Sequence, residues 1–198
     1  LRITYNTAYD EAGQPVRAIG CGIDLTEYKR LEQRFAAEMD RLTAKPGKDV
    51  MATCRVNLSK DEVDHCYNRG ELEVSTHAEP YSRALAAVVS QCVDAQTRGN
   101  YLAEMSADVL LNAFAEGKTE HTIEYRRRTK QGTLCWVRTT IQLYRHPETG
   151  DVVGFVYTYD VNAARIAHNA FESIAEGTYE FIGVVDLESG VYRCLSCR

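Results

Sequence analysis

A chain of 198 residues, 44% apolar and 26% charged with a formal net charge of −5, has the make-up of a globular domain with flanks. The acidic balance argues against a nucleic-acid partner, which would ask for a basic face. No apolar run approaches the roughly 20 residues that cross a bilayer, and there is no signal-peptide pattern, so no membrane contact is expected of this stretch. Seven cysteines, an odd number without a framework spacing, suit a reducing cytoplasm.

Residues 1–23 are predicted to form a hairpin, two strands around a turn that carries Gly13. Asp24-Leu25-Thr26-Glu27 then offers a carboxylate at an N-cap position and a Glu three residues on, close to a capping box. From there Leu25, Tyr28, Leu31, Phe35, Met39 and Leu42 recur at three- and four-residue steps, which predicts a helical linker over 24–45. Its narrow apolar seam suits either packing on a neighbouring domain or a dimeric coiled coil. Pro46 and Gly47 end it.

Residues 49–160 read as one whole α+β unit. Strands are predicted at Ala52–Asn57 and Glu62–Tyr67, followed by a polar loop over 70–80. Helices follow at Tyr81–Val93, Tyr101–Met105 and Ala107–Ala115, the last with Leu110, Leu111 and Phe114 on one side and Gly117 as its stop. Three strands close the unit, Glu120–Arg127, Leu134–Arg145 and Val152–Tyr159, with the helices expected on one face of the sheet. The basic cluster Arg126-Arg127-Arg128 with Lys130 falls on a strand and turn and is read as a solvated edge. A second helical linker is predicted over 161–177, and residues 178–198 are read as a further hairpin. The chain opens mid-strand and stops soon after a strand, as a piece of a longer protein would.

The chain also repeats itself. When Leu1 is set on Trp136, Tyr9 falls on Tyr144; after one extra residue in the second turn, Val16 falls on Val152, Ile19 on Phe155 and Asp24 on Asp160. Near the other ends of the two units, Val56, Asn57 and Leu58 fall on Val185, Asp186 and Leu187. The order is therefore the end of a unit, a whole unit and the start of a unit.

Glu124 to Asn162 carries a Tyr-Arg strand, a Gly turn, a Trp-Val strand, a second Gly turn and a strand ending in Asp. This segment resembles the C-terminal motif of the PAS sensory family. Asp24-Leu25-Thr26 is similar to the Asp-Ile-Thr triplet that joins a PAS core to its output helix, whereas the second copy reads Asp160-Val161-Asn162, with Asn in place of Thr. The resemblance implies a five-stranded antiparallel sheet of order 2-1-5-4-3, cupped by helices around a small pocket. On that pattern 1–23 is the C-terminal hairpin of a first module, 49–160 a complete one and 178–198 the N-terminal hairpin of a third. It further implies a bacterial signalling role: a sensory region that relays ligand or state changes to an effector in the same polypeptide. Cyclic-di-GMP synthesis or turnover is the favoured effector and a histidine kinase the alternative; a ligand-free dimerisation or spacer module is the other reading. Asp24, Thr26, Asp160 and Asn162 are then the signal-junction residues.

Candidate chemistry is sparse. There is no Gly-rich phosphate loop, no metal-spaced His/Glu set and no nucleophile with an evident base, so neither catalytic nor metal residues are nominated within this chain. Cys54-Arg55 shares two letters with the Asn-Cys-Arg context of flavin-binding PAS modules but lies on a strand, and flavin is not expected. Haem is not expected either, because His65, His77 and His121 lie on strands and a loop rather than on the helical insert. Cys194-Leu195-Ser196-Cys197 lacks the second pair that zinc would require. Period-two counting nominates Cys54, Val56, Ile123, Tyr125, Ile141 and Tyr157 as inward-facing pocket candidates, with Tyr125 and Tyr157 the pair whose buried phenols would want partners. A small-molecule ligand and a homodimer are the expected partners, and the cytoplasm the expected location.

Overall fold

A computed structural model describes residues 2–44, 46–72, 79–176, 181–187 and 189–197. The chain opens with the hairpin β1 (Arg2–Tyr9) and β2 (Pro15–Ile23), followed by helix α1 (Thr26–Thr43). Strands β3 (Val50–Asn57) and β4 (Glu62–Asn68) lead to α2 (Tyr81–Gln91), α3 (Ala95–Met105) and α4 (Ala107–Ala115). Strands β5 (Glu120–Arg128), β6 (Leu134–Arg145) and β7 (Val152–Asp160) complete the unit. Helix α5 (Asn162–Glu176) and the hairpin β8 (Phe181–Val185) and β9 (Tyr192–Cys197) follow.

The central sheet is antiparallel throughout and runs β4-β3-β7-β6-β5, which within the unit is the expected order 2-1-5-4-3. Alternation decides its inner face. On β6 the residues Cys135, Val137, Thr139, Ile141 and Leu143 are buried, while the intervening ones are partly or fully exposed. The inner residues pack with Met51, Val56, Val63 and the apolar sides of α2–α4 into the main core. Gly154 on β7 belongs to this packing, since a Cβ there would lie 2.6 Å from Ile141 Cδ1.

The outer face is not left to solvent. Helix α1 lays Phe35 and Leu42, with Met39 beside them, over Val153, Phe155 and Tyr157 of β7. Phe35 meets Phe155 edge-on, with ring centroids 5.5 Å apart. The linker's apolar seam is therefore used, in its second half, to pack on the neighbouring domain. In its first half Tyr28 stays exposed.

Several expectations need correction. Helix α3 starts at Ala95, well before Tyr101, because Asp94 caps it by accepting from the Thr97 N–H at 2.7 Å. Val93 is not helical; its N–H donates to the Arg126 carbonyl, which ties the end of α2 to β5. Asp24 stands one residue before the cap position, and its carboxylate accepts from Thr26 N–H and Oγ1 at 2.8 and 2.6 Å. Arg127 is not on a solvated edge. Strand alternation turns it inward to 1% exposure between the outward-facing Arg126 and Arg128, and its guanidinium donates to Gln91 Oε1.

The cysteine pattern looks unpaired in sequence, yet Cys54 and Cys66 face each other across the β3–β4 ladder and are joined as a disulfide. The two terminal hairpins form separate two-stranded sheets within the chain. No helix among the described residues is long and apolar enough to cross a membrane.

Candidate functional site

Between the inner face of the sheet and helices α2 and α3 lies a cavity of about 60 Å³. Of the sequence candidates, Cys54, Val56, Tyr125 and Ile141 line it. Ile123 shares their face of the sheet but sits half-buried against the core without reaching the cavity. Tyr157 is on the opposite face. It pairs in register with Thr53 and Thr140, both outward, and its hydroxyl donates to Glu38 Oε2 of α1 at 2.6 Å. On β7 the cavity-facing residues are instead Val156 and Thr158.

Hydroxyls dominate one end of the cavity. Tyr125 Oη lies 3.2 Å from Thr139 Oγ1, which lies 3.1 Å from Thr158 Oγ1, so strands β5, β6 and β7 are joined by one buried chain of hydrogen bonds. Tyr101 of α3 stacks obliquely on Tyr125, with centroids 4.7 Å apart. Tyr81 of α2 donates to the Met105 carbonyl at 2.5 Å. Burial pushes the phenols of Tyr81, Tyr101 and Tyr125 up from their ordinary range, so they act as neutral hydrogen-bonding groups. The Arg127 guanidinium brings positive charge to the same wall. The sequence reading missed Tyr81, Tyr101, Arg127, Thr139 and Thr158. The first two lie on helices whose faces a strand count does not reach, and Arg127 was hidden by its charge.

His65 is half-buried on the edge strand β4, and His77 lies outside the described residues. His121 is buried on β5, with Nδ1 3.4 Å from Glu104 Oε2 of α3. Of the CxxC pair, Cys194 is exposed on β9, and the Cys197 side chain lies outside the described residues.

The Asp160–Asn162 segment follows directly from β7. The Asp160 carboxylate accepts from the Asn162 N–H at 2.9 Å, the same backbone bond that Asp24 makes with Thr26. The hydroxyl bond of the first copy is replaced: Asn162 Oδ1 instead accepts from the Trp136 N–H at 3.0 Å and pins the start of α5 to β6. One turn on, Arg165 pairs with Glu124 of β5 and lies over the Trp136 ring, 5.0 Å from its centroid. Glu124 also holds Arg138 of β6 at 2.6 Å. Burial works to raise the Glu124 carboxyl, but Arg138 and Arg165 outweigh it and hold the group below its usual range.

Residues 103–159, from the end of α3 to the end of β7, match the family model described as PAS fold. No curated protein matches the chain in sequence. Among solved structures the chain is similar to the N-terminal domain of a diguanylate cyclase with PAS/PAC sensor from Marinobacter aquaeolei. That match has 10% identity over 58% of this chain and 97% of the other, with a TM-score of 0.38. It is also similar to a sensory box histidine kinase/response regulator from Burkholderia thailandensis E264, at 17% identity over 72% and 95% of the two chains, with a TM-score of 0.39. With the strands of that family match completed by β3 and β4 into the sheet order described above, the central module of this chain has the PAS fold.

Proposed function

We propose that residues 49–160 are a regulatory module that senses a small molecule, or a change of state, in the cavity behind the sheet and passes it through β7 into α5. One observation carries this reading: Val156 and Thr158 line the cavity on the same strand that ends, two residues later, at the Asp160–Asn162 junction. A ligand that favours one arrangement of β7 shifts the population of α5 positions, and through them an effector in the same polypeptide. Cyclic-di-GMP synthesis or turnover is the effector we favour on the family resemblance, with a histidine kinase the alternative. In this scheme residues 1–23 and 178–198 are parts of flanking modules, Asp24 and Thr26 form an equivalent junction upstream, and the protein works in the cytoplasm.

The test is native mass spectrometry of the purified chain, followed by a metabolite screen for thermal shift. A retained small molecule, or a hit that raises Tm and is lost when Ile141 is changed to Trp, supports sensing; no adduct and no shift removes it. A second reading, a ligand-free spacer that dimerises, is favoured by a cavity whose hydroxyls bond one another and by the exposed Tyr28 on α1. On that reading the thermal screen is silent and light scattering reports a dimer.

A further inference from the structure

We propose that the Cys54–Cys66 disulfide is a reversible redox switch that sets the shape of the cavity, with low-molecular-weight thiols as its reductant. The cavity's importance here rests on the sensing role given above. Cys54 lines the cavity wall, and its partner lies on β4, the edge strand of the sheet, partly buried against the main core. Cys21, Cys92 and Cys135 meanwhile hold no disulfide. A disulfide beside unpaired thiols is the pattern of a redox-sensing bond in a reducing compartment rather than of a secreted framework. Burial raises the thiols of Cys92 and Cys135, so they are poor competitors for exchange.

The bond is also dispensable for folding. It links residues 12 apart in sequence, within a hairpin that the β3–β4 ladder already closes, so it adds little further loop closure. Its effect is local. A sulfur–sulfur bond is shorter than a nonbonded sulfur contact by about 1.5 Å, so reduction forces the two side chains apart. The free space on the Cys54 side is the cavity, and a released Cys54 thiol turns into it. Thiol and ligand then compete for one volume, and by linkage an occupied cavity favours the disulfide.

The chemistry balances. A small thiolate attacks Cys66 Sγ, forming a mixed disulfide, and Cys54 leaves as a thiolate that takes up a proton. A second small thiolate attacks the mixed disulfide at the sulfur of the first, freeing Cys66, which is protonated in turn. Two electrons and two protons pass to the protein, and the two small thiols leave joined as their own disulfide.

The full chain is equilibrated in glutathione buffers from reducing to oxidising, trapped with a maleimide and read by peptide mass spectrometry, with circular dichroism reporting the fold. Xenon, read by NMR, serves as the probe of the cavity. The expected result is full interconversion of Cys54 and Cys66 within the glutathione range, with the fold retained and xenon binding several-fold weaker in the reduced form. The variant Cys66→Ser should match the reduced form's xenon response in every buffer. A bond that resists glutathione until denaturant is added overturns the switch, and equal xenon binding in both states overturns its effect on the cavity. Ligand screening is a separate readout: a silent screen removes the sensing role while the redox and xenon results still decide the switch.

Discussion

Two tyrosines close the cavity from different sides, and their hydroxyls are not equivalent. Tyr81 donates to the Met105 carbonyl, which lies at the end of α3, where helix carbonyls lack an intrahelical partner. Removing that donor leaves a buried acceptor unpaired. The Tyr125 hydroxyl instead meets Thr139 Oγ1, which keeps its second bond to Thr158. Tyr81→Phe is therefore expected to cost about 1–3 kcal/mol and Tyr125→Phe about 1 kcal/mol or less. Urea titration of both variants measures this, and an equal or reversed order shows that the Met105 carbonyl finds another donor. In the cavity, the polar groups that matter are thus those whose partners have no alternative.

Helix α1 combines two faces that a sequence period alone merges into one seam. Phe35 and Leu42 are buried against Phe155 and its neighbours, whereas Tyr28 is exposed a turn or more earlier. Phe35→Ala should cost about 3–5 kcal/mol by leaving an unfilled site over β7. Tyr28→Glu should leave Tm within about a degree or two and act only on any dimer, as read by light scattering. If Tyr28→Glu destabilises a monomer instead, the first half of the helix is packed rather than free. The same division explains what could be read in advance. Strand β6 was legible because one face is buried and the other is wet, giving period-two contrast. Strand β7 is covered by helices within and by α1 without, so most of its residues are buried and counting from either parity looks equally good. Tyr157 went to the wrong face for that reason. The Cys54–Cys66 pair was hidden differently: it depends on the β3–β4 register, which no spacing in the sequence specifies. The start of α3 was hidden because its first turn, Ala95-Gln96-Thr97-Arg98, has almost no apolar period, and only the Asp94 cap announces it.

At the scale of the whole molecule, strand β7 carries α1 on its outer face and continues into α5 at its end. Tyr157 donates to Glu38 of α1, and Arg41 of the same helix lies 4.3 Å from the Tyr157 ring centroid and donates to the Tyr159 hydroxyl. Three residues beyond Tyr157 the Asp160–Asn162 segment begins, and Glu124 with Asn162 holds the first turn of α5 to β5 and β6. An incoming helix and an outgoing one are therefore fastened to one strand, with the cavity behind it. The two fastenings make different predictions. Glu124→Gln weakens the ion pair with Arg165 and should raise amide exchange in the first two turns of α5 while leaving α1 as it was. Tyr157→Phe removes the bond to Glu38 and should raise exchange in α1; if β7 transmits between the helices, it also raises exchange at the start of α5. Hydrogen exchange read by mass spectrometry resolves both segments. Exchange in α5 that is unchanged by Tyr157→Phe while α1 loosens would mean that β7 is a rigid support rather than a relay. The module would then report only what happens in its own cavity, and the upstream helix would be an anchor without a voice in the output.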